Sequence, residues 1–271
     1  MTRRTVFHLA LAIVVFYCCA PLLWQFITSL KTDQELTRLP PLLPARPTLD
    51  HYVALFRERP FGRIILNSAV VASTTTALSV AVGSLCAFAV ARLRVRYSGM
   101  ILGFVLSVSM FPPIATVSPL YLVIRSLGLR DTLWALIITY TTFSLPLAIW
   151  VLTSFFREIP EDVYLAARVD GCTPFQAFTR IMLPLAAPGI FTTAILVFIF
   201  SWNEFLFALT FTSTKASRTI PVAIALFPGL HEVPWGDIAA ASVLVTVPLL
   251  LLVFLFQRRI VEGLTAGAIK G

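Results

Sequence analysis

Long apolar stretches alternate with shorter polar connections along this chain. Six stretches stand out, at about 6–30, 63–91, 98–122, 133–155, 189–211 and 239–257. A helix needs about 20 apolar residues to cross a bilayer, and it satisfies its own backbone groups where no water can. The pattern therefore predicts an all-α membrane protein with six transmembrane helices. The first stretch is long for a signal-peptide core, and no small-x-small cleavage site precedes a polar domain. It is expected to stay as the first helix.

The interruptions carry the detail. Residues 31–62 hold Pro40, Pro41, Pro44, Pro47 and Pro60 and read as an extended external loop, with a short helix around Leu49–Arg57 that Asp50 could cap. Trp235 and the turn at 234–237 precede the sixth stretch and suit a membrane interface. Prolines are expected to break the third stretch, at Phe111-Pro112-Pro113 and Ser118-Pro119, and the fourth, at Pro146. Such bends either line a path or reflect ordinary packing.

The segment 160–184 is the most structured of the polar connections. Pro160, Glu161 and Asp162 suit the first turn of a helix running to Val169, and Asp170-Gly171 suits its stop. Thr173, Pro174 and Gln176 form a capping-box pattern for a second helix, which Pro184 should end.

Composition agrees with lipid as the solvent: 58% of the 271 residues are hydrophobic and 13% charged, with a mean hydropathy of +0.88. The net charge of +8 does not call for nucleic acid, because Arg and Lys collect at the cytoplasmic ends of spans. Arg3 and Arg4, then Arg92, Arg94 and Arg96, then Arg258 and Arg259 fall on one side of a six-span chain, together with the 160–184 loop. Lys31, Arg38, Arg46, Arg57 and Arg59 fall on the other side, in a longer loop that weighs less. Cys18, Cys19, Cys86 and Cys172 make no disulfide framework. His8, His51 and His231 are too scattered for a metal site, and no metal ligand set is expected. No GxxxxGK[ST] phosphate loop occurs, so this chain is not expected to hydrolyse ATP.

Within 160–184, Ala166-Ala167, three residues, Gly171, nine residues, then Ile181-x-Leu183-Pro184 resembles the coupling loop of ATP-binding-cassette importer permeases. Asn67-Ser68, Phe111-Pro112, Leu145-Pro146-Leu147, Phe155 to Pro160, Ser201 to Phe205 and the tail Gln257 to Gly271 resemble the carbohydrate-uptake branch, the smaller permease of maltose- and trehalose-type importers above all. The family's Glu falls on Leu165, so an ion pair made by that Glu is absent or replaced, with Glu161 or Asp162 at hand.

The resemblance implies one permease domain over residues 1–271: a first span and external loop to residue 62, core spans over 63–257, and a cytoplasmic tail over 258–271. It implies a non-catalytic subunit in a prokaryotic inner or plasma membrane, with both termini cytoplasmic. It would pair with a second permease, two ATPase subunits that bind ATP and Mg, and an extracytoplasmic sugar-binding protein. Ala166, Ala167, Asp170 and Gly171 would couple to the ATPase. Phe175 and Phe178 face either the bundle or the partner's groove, and Gly267–Gly271 would add a contact.

Candidates for the substrate path are Trp202, Asn203 and Glu204, since an acid within a span usually faces protein or water, with the polar run Thr139-Tyr140-Thr141-Thr142 and Ser144 as the opposite wall. Glu204 could equally lie at the external interface or pair with the second permease. The cargo implied is a disaccharide or oligosaccharide such as trehalose or maltose. A polyol or glycerol phosphate ester and an ion-driven secondary transporter are the alternatives.

Overall fold

The computed structural model describes residues 3–37, 41–93, 95–229 and 233–266, with side chains as far as Gln257 in the last stretch. In chain order its helices are α1 (Arg3–Ser29), α2 (Asp33–Leu36), α3 (Asp50–Arg57), α4 (Phe61–Arg92), α5 (Ser98–Ser109), α6 (Pro113–Ser126) and α7 (Leu133–Glu158). Then follow α8 (Glu161–Val169), α9 (Pro174–Ala177), a π-helical turn (Phe178–Met182), α10 (Leu183–Leu185), α11 (Ala187–Asn203), α12 (Leu206–Phe211), α13 (Ile220–Ala225) and α14 (Trp235–Ala266). Arg38, Pro40, Arg94, His231 and Gly267–Gly271 lie outside the described residues, as do the side chains of Arg258 and Arg259.

Among the described residues, α1, α4, α7 and α14 are each long and apolar enough to cross a membrane. The number reaches six if two bent pairs each count as one span. The third stretch is one of these pairs: α5 stops at Ser109 and α6 starts at Pro113, turned by 90°. Pro112 and Pro113 both lack an N–H, so the helical ladder loses two successive donors there.

A single proline does less. The break expected at Pro146 does not occur, because α7 runs unbroken through it. Pro21, Pro119 and Pro248 likewise lie inside continuous helices. The fifth stretch is not one helix either: α11 ends at Asn203 and Glu204 is extended.

Two compact units divide the chain, Met1–Ile65 with Ile220–Leu250, and Leu66–Thr219 with Leu251–Gly271. In the first, the Ser29 and Tyr52 hydroxyls meet at 2.7 Å. Asp50 is the first residue of α3 rather than its cap, and the Thr48 hydroxyl accepts the Asp50 N–H at 3.1 Å. His51 is buried; its Nδ1 lies 3.0 Å from Asp237 Oδ1 and its Nε2 2.9 Å from the Lys31 carbonyl. Arg59 reaches the other Asp237 oxygen at 3.3 Å. Gly236 makes room for this, since a Cβ there would lie 2.1 Å from His51 Nε2.

The second unit is built around α7, which packs against α5, α11 and α12. Small residues let helices approach closely in membranes. A Cβ on Gly83 of α4 would stand 2.9 Å from Ala148 Cβ of α7, and one on Gly189 of α11 only 2.2 Å from the Phe155 ring. Asp131, at φ +62° before α7, ties distant loop segments together. Its carboxylate accepts the N–H groups of Ser213 (2.7 Å) and Thr214 (3.0 Å) and the Ser217 hydroxyl. Burial would raise this carboxyl, but the hydrogen bonds from Ser217, Ser213 and Thr214 hold it well below the usual carboxylate range.

Candidate functional site

The 160–184 segment folds as two short helices around a tight turn. Glu161 and Asp162 occupy the first turn of α8, with Pro160 in the capping position. At its other end the Gly171 N–H bonds the Arg168 carbonyl (3.2 Å) and the Cys172 N–H the Ala167 carbonyl (3.0 Å). With Gly171 at φ +85°, this is a Schellman stop, whose left-handed residue favours glycine. Thr173 and Gln176 then make the reciprocal capping box: the Thr173 hydroxyl accepts at 3.2 Å and the Gln176 carbonyl at 2.8 Å.

Pro184 does not end the second helix. The chain shifts to π register, with the Leu183 N–H bonding the Phe178 carbonyl, and the helical run passes Pro184 to Leu185. A 78° bend then leads into α11. The wider turn relieves the clash that a proline ring makes with the carbonyl four residues earlier.

The inner face of this platform is a packed core. Tyr164, Ala167, Ala177, Phe178 and Met182 bury themselves against Ala87, Phe88, Leu152, Phe156 and Ala186. Phe88 is the hub, with ring centroids 5.0 Å from Phe178, 5.9 Å from Tyr164 and 6.0 Å from Phe156. Arg92 adds a polar lock. Pro160 has no N–H for the Phe156 carbonyl at the end of α7, and the Arg92 guanidinium donates to it and to the Ile159 carbonyl instead.

The outer face is open. Leu165, Ala166, Val169, Asp170, Gly171 and Phe175 are exposed, Val169 by 87% and Phe175 by 65%. Of the six candidate residues, four therefore lie outside. Ala167 and Phe178 lie within the core and hold the platform's shape. The direction of the two phenylalanines, open in the sequence, is settled by this packing.

The second candidate region gathers at the break between α11 and α12. Glu204 Oε1 accepts the Phe207 N–H (2.9 Å) and Oε2 the Ala208 N–H (3.2 Å), so the carboxylate caps α12. Tyr140 is fully buried, edge-on to Phe200, with the Glu204 carboxylate beside its hydroxyl. Asn203 is exposed and donates to the Ile199 carbonyl at 2.8 Å. Trp202 is buried and stacks on Phe198 at 5.5 Å. The fold thus brings Tyr140 within the electrostatic reach of Glu204 and turns Trp202 into packing.

Tyr140, Thr141 and Ser144 belong to the polar run that the sequence offers for the opposite wall, whereas sequence reasoning missed Thr75, Ser79, Thr153 and Ser201. The hydroxyls of Thr75 and Ser79 on α4, Tyr140, Thr141, Ser144 and Thr153 on α7, and Ser201 on α11 are buried without hydrogen-bond partners. Gly83 meets Ala148, and Arg92 meets Phe156, in the same order along both helices, so α4 and α7 run parallel. A signal was present in Ser79-x-x-x-Gly83-x-x-x-Ala87, a small-residue stripe. Among the described residues, no cluster of three His, Cys, Asp or Glu side chains could hold a metal ion.

Residues 79–265 match the family described as binding-protein-dependent transport system inner membrane component. The chain is 46% identical to the trehalose transport system permease protein SugB of Mycobacterium tuberculosis, covering 99% of this chain and 98% of that one. It is 44% identical to the sulfoquinovosyl glycerol transport system permease protein SmoH of Agrobacterium fabrum (93% and 88%). Identity to the trehalose/maltose transport system permease protein MalG of Thermococcus litoralis is 41% (99% and 98%). In fold it is similar to a chain of a bacterial ABC transporter that imports alginate, with a TM-score of 0.82, 19% identity, and coverage of 95% and 98%.

Proposed function

Since the chain belongs to the binding-protein-dependent inner membrane transport components, we propose that it is one permease half of an ATP-driven sugar importer whose 160–184 platform receives the motor. The observation that carries this is the two-sided construction of that platform. Its inner face is fused to the ends of α4 and α7 through Phe88, Phe156 and Phe178, so a push on the outer face moves those helices as one body. The outer face presents Leu165, Ala166, Val169 and Phe175 around a glycine turn, a low-relief apolar surface suited to a protein cleft.

In this reading ATP and Mg sit on two partner ATPase subunits, a second permease completes the path, and an external binding protein delivers cargo. The platform and both termini then face the cytoplasm. Closure of the ATPases biases the bundle between two packings, which requires only a differential affinity for the two states. The unpartnered hydroxyls of α4, α7 and α11, with Tyr140 and Glu204, supply the polar wall of the path.

The cargo proposed is a neutral disaccharide or oligosaccharide of the trehalose or maltose kind, by likeness to the relatives that transport these. The sulfoquinovosyl glycerol relative favours a second reading, a glycerol-linked cargo. A negatively charged group would call for Arg or Lys along the path. No Arg or Lys lies between Arg63 and Arg92 in α4, or anywhere in α11, and α7 has one only at Arg157. The neutral sugar is therefore preferred.

The test is Gly171→Asp in proteoliposomes holding all subunits. It should insert normally and hydrolyse ATP without importing labelled trehalose or maltose. Normal uptake by this variant would remove the assigned role of the platform.

A further inference from the structure

Asn67 stands near the start of α4, far from the platform at its other end. It is buried, and its side-chain amide donates to the Ala216 carbonyl (2.9 Å) and to the Arg218 carbonyl (3.0 Å). Both acceptors lie in the loop that follows α12. Asp131, just ahead of α7, holds the same loop from a second helix, accepting from Ser213, Thr214 and Ser217. The Asp131 N–H also donates to the Phe211 carbonyl at 2.9 Å, and Arg130 bonds the Ser213 hydroxyl at 3.1 Å. Surface loops ordinarily move more freely than the helices they connect. This one is bolted to α4 by one side chain and to the entry of α7 by another.

At their other ends the same two helices carry the platform, through Phe88, Phe156 and the Arg92 bonds to the carbonyls of Phe156 and Ile159. Midway, Gly83 lies so close to Ala148 that an added methyl would stand 2.9 Å from its Cβ, so the pair slides only if the backbones part. Asn67 and Arg92 are 25 residues apart on one helix, about 38 Å at the helical rise. That exceeds the hydrocarbon thickness of about 30 Å. One helix pair therefore carries the platform on one membrane face and residues 213–218 on the other. Coupling between distant sites travels through such rigid elements and hydrogen-bond networks. We propose that Asn67 and Asp131 are positioning residues that make the 213–218 loop follow the platform, so that closure of the motor changes the surface offered on the far face. Ser213, Thr214, Lys215 and Ala216 are exposed there and meet whatever approaches from outside. The proposal rests on the reading of residues 160–184 as the motor's seat.

The test places a reporter on the loop, Lys215→Cys, with Cys18, Cys19, Cys86 and Cys172 replaced by alanine. In proteoliposomes holding all subunits, maleimide labelling of this cysteine should change about fivefold or more when ATP and vanadate trap the closed motor, the scale of an ordinary coupling between sites. Asn67→Leu keeps the side-chain volume and removes both donors. Its labelling should be the same with and without trapping, while ATP hydrolysis continues and uptake falls about tenfold. A merely structural role would instead lower hydrolysis, uptake and the thermal-inactivation midpoint together and leave the nucleotide response in place, which overturns the proposal. Gly171→Asp in the reporter chain separates this failure from failure of the platform reading. If Gly171→Asp uncouples hydrolysis from uptake but the parent loop never responds to trapping, the platform stands and the link through Asn67 falls. If Gly171→Asp transports and responds normally, both fall. Should Asn67→Leu not assemble, Asp131→Asn keeps the shape of the other anchor and loses its charge. It should weaken the response, and an unchanged response there overturns the proposal equally.

Discussion

Phe178→Ala tests whether the 160–184 platform moves with the bundle as one body. The ring is nearly buried, with centroids 5.0 Å from Phe88 and 6.2 Å from Phe156. Truncating a buried phenylalanine costs about 3–5 kcal/mol, and each lost aromatic pair accounts for about 0.5–1.5 kcal/mol of that. The loss falls on the seam between the platform and the ends of α4 and α7, so membrane insertion should survive. At about 3 kcal/mol, the ratio of docked to undocked platform falls on the order of a hundredfold. Cys172, half-buried against this seam, reports the change. With Cys18, Cys19 and Cys86 replaced by alanine, Phe178→Ala should speed maleimide labelling of Cys172 and separate ATP hydrolysis from uptake in proteoliposomes. Phe175→Ala is the control. That exposed ring costs the fold about 0.5 kcal/mol or less, so labelling should stay at the wild-type rate while uptake falls. A Phe178→Ala protein with wild-type labelling and coupled transport would refute the rigid connection.

Gly189→Ala forces a methyl group within 2.2 Å of the Phe155 ring. This overpacking should cost about 1–3 kcal/mol, and an unchanged thermal-inactivation midpoint would show slack between α7 and α11. Asp131 has a depressed carboxyl, so its stabilisation is complete above the unfolded value of about 4 and fades only as pH falls below it. Asp131→Asn should lower the inactivation temperature at pH 7 and narrow the gap to wild type at pH 3; a constant gap would contradict this. Glu204→Ala removes the cap of α12 and should cost about 1 kcal/mol, whereas Glu204→Gln keeps a carbonyl acceptor. If Glu204 also touches cargo, Glu204→Gln should raise the KM for uptake with stability near wild type, and an unchanged KM would confine the residue to capping.

The parts of the site that were legible in the sequence are those made by neighbours along the chain. Gly171 stops α8 because only a left-handed residue closes the Schellman bonds, and Thr173 with Gln176 starts α9 through a reciprocal pair three residues apart. The prolines were less legible, since their effect depends on what else satisfies the backbone. Pro112 and Pro113 together turn the chain by 90°, Pro146 alone leaves α7 whole, and Pro184 is absorbed by a π turn. The shared role of His51, Asp237 and Arg59 had no local signal, because His51 and Asp237 stand 186 positions apart.

Hydropathy and fixed spacing alone determined that this is a multi-span helical protein with a capped two-helix loop, because bilayer thickness and cap geometry act over a few turns of one segment. Tertiary packing alone decided that Phe178 is an anchor while Phe175 faces outward, and that Tyr140 is buried near the Glu204 carboxylate. It also decided that Lys31 is buried against the Trp24 ring. Those outcomes depend on which helices approach one another: the small-residue stripe marks Gly83 as a close approach, but neither segment alone says that Ala148 meets Gly83 or that Phe155 meets Gly189.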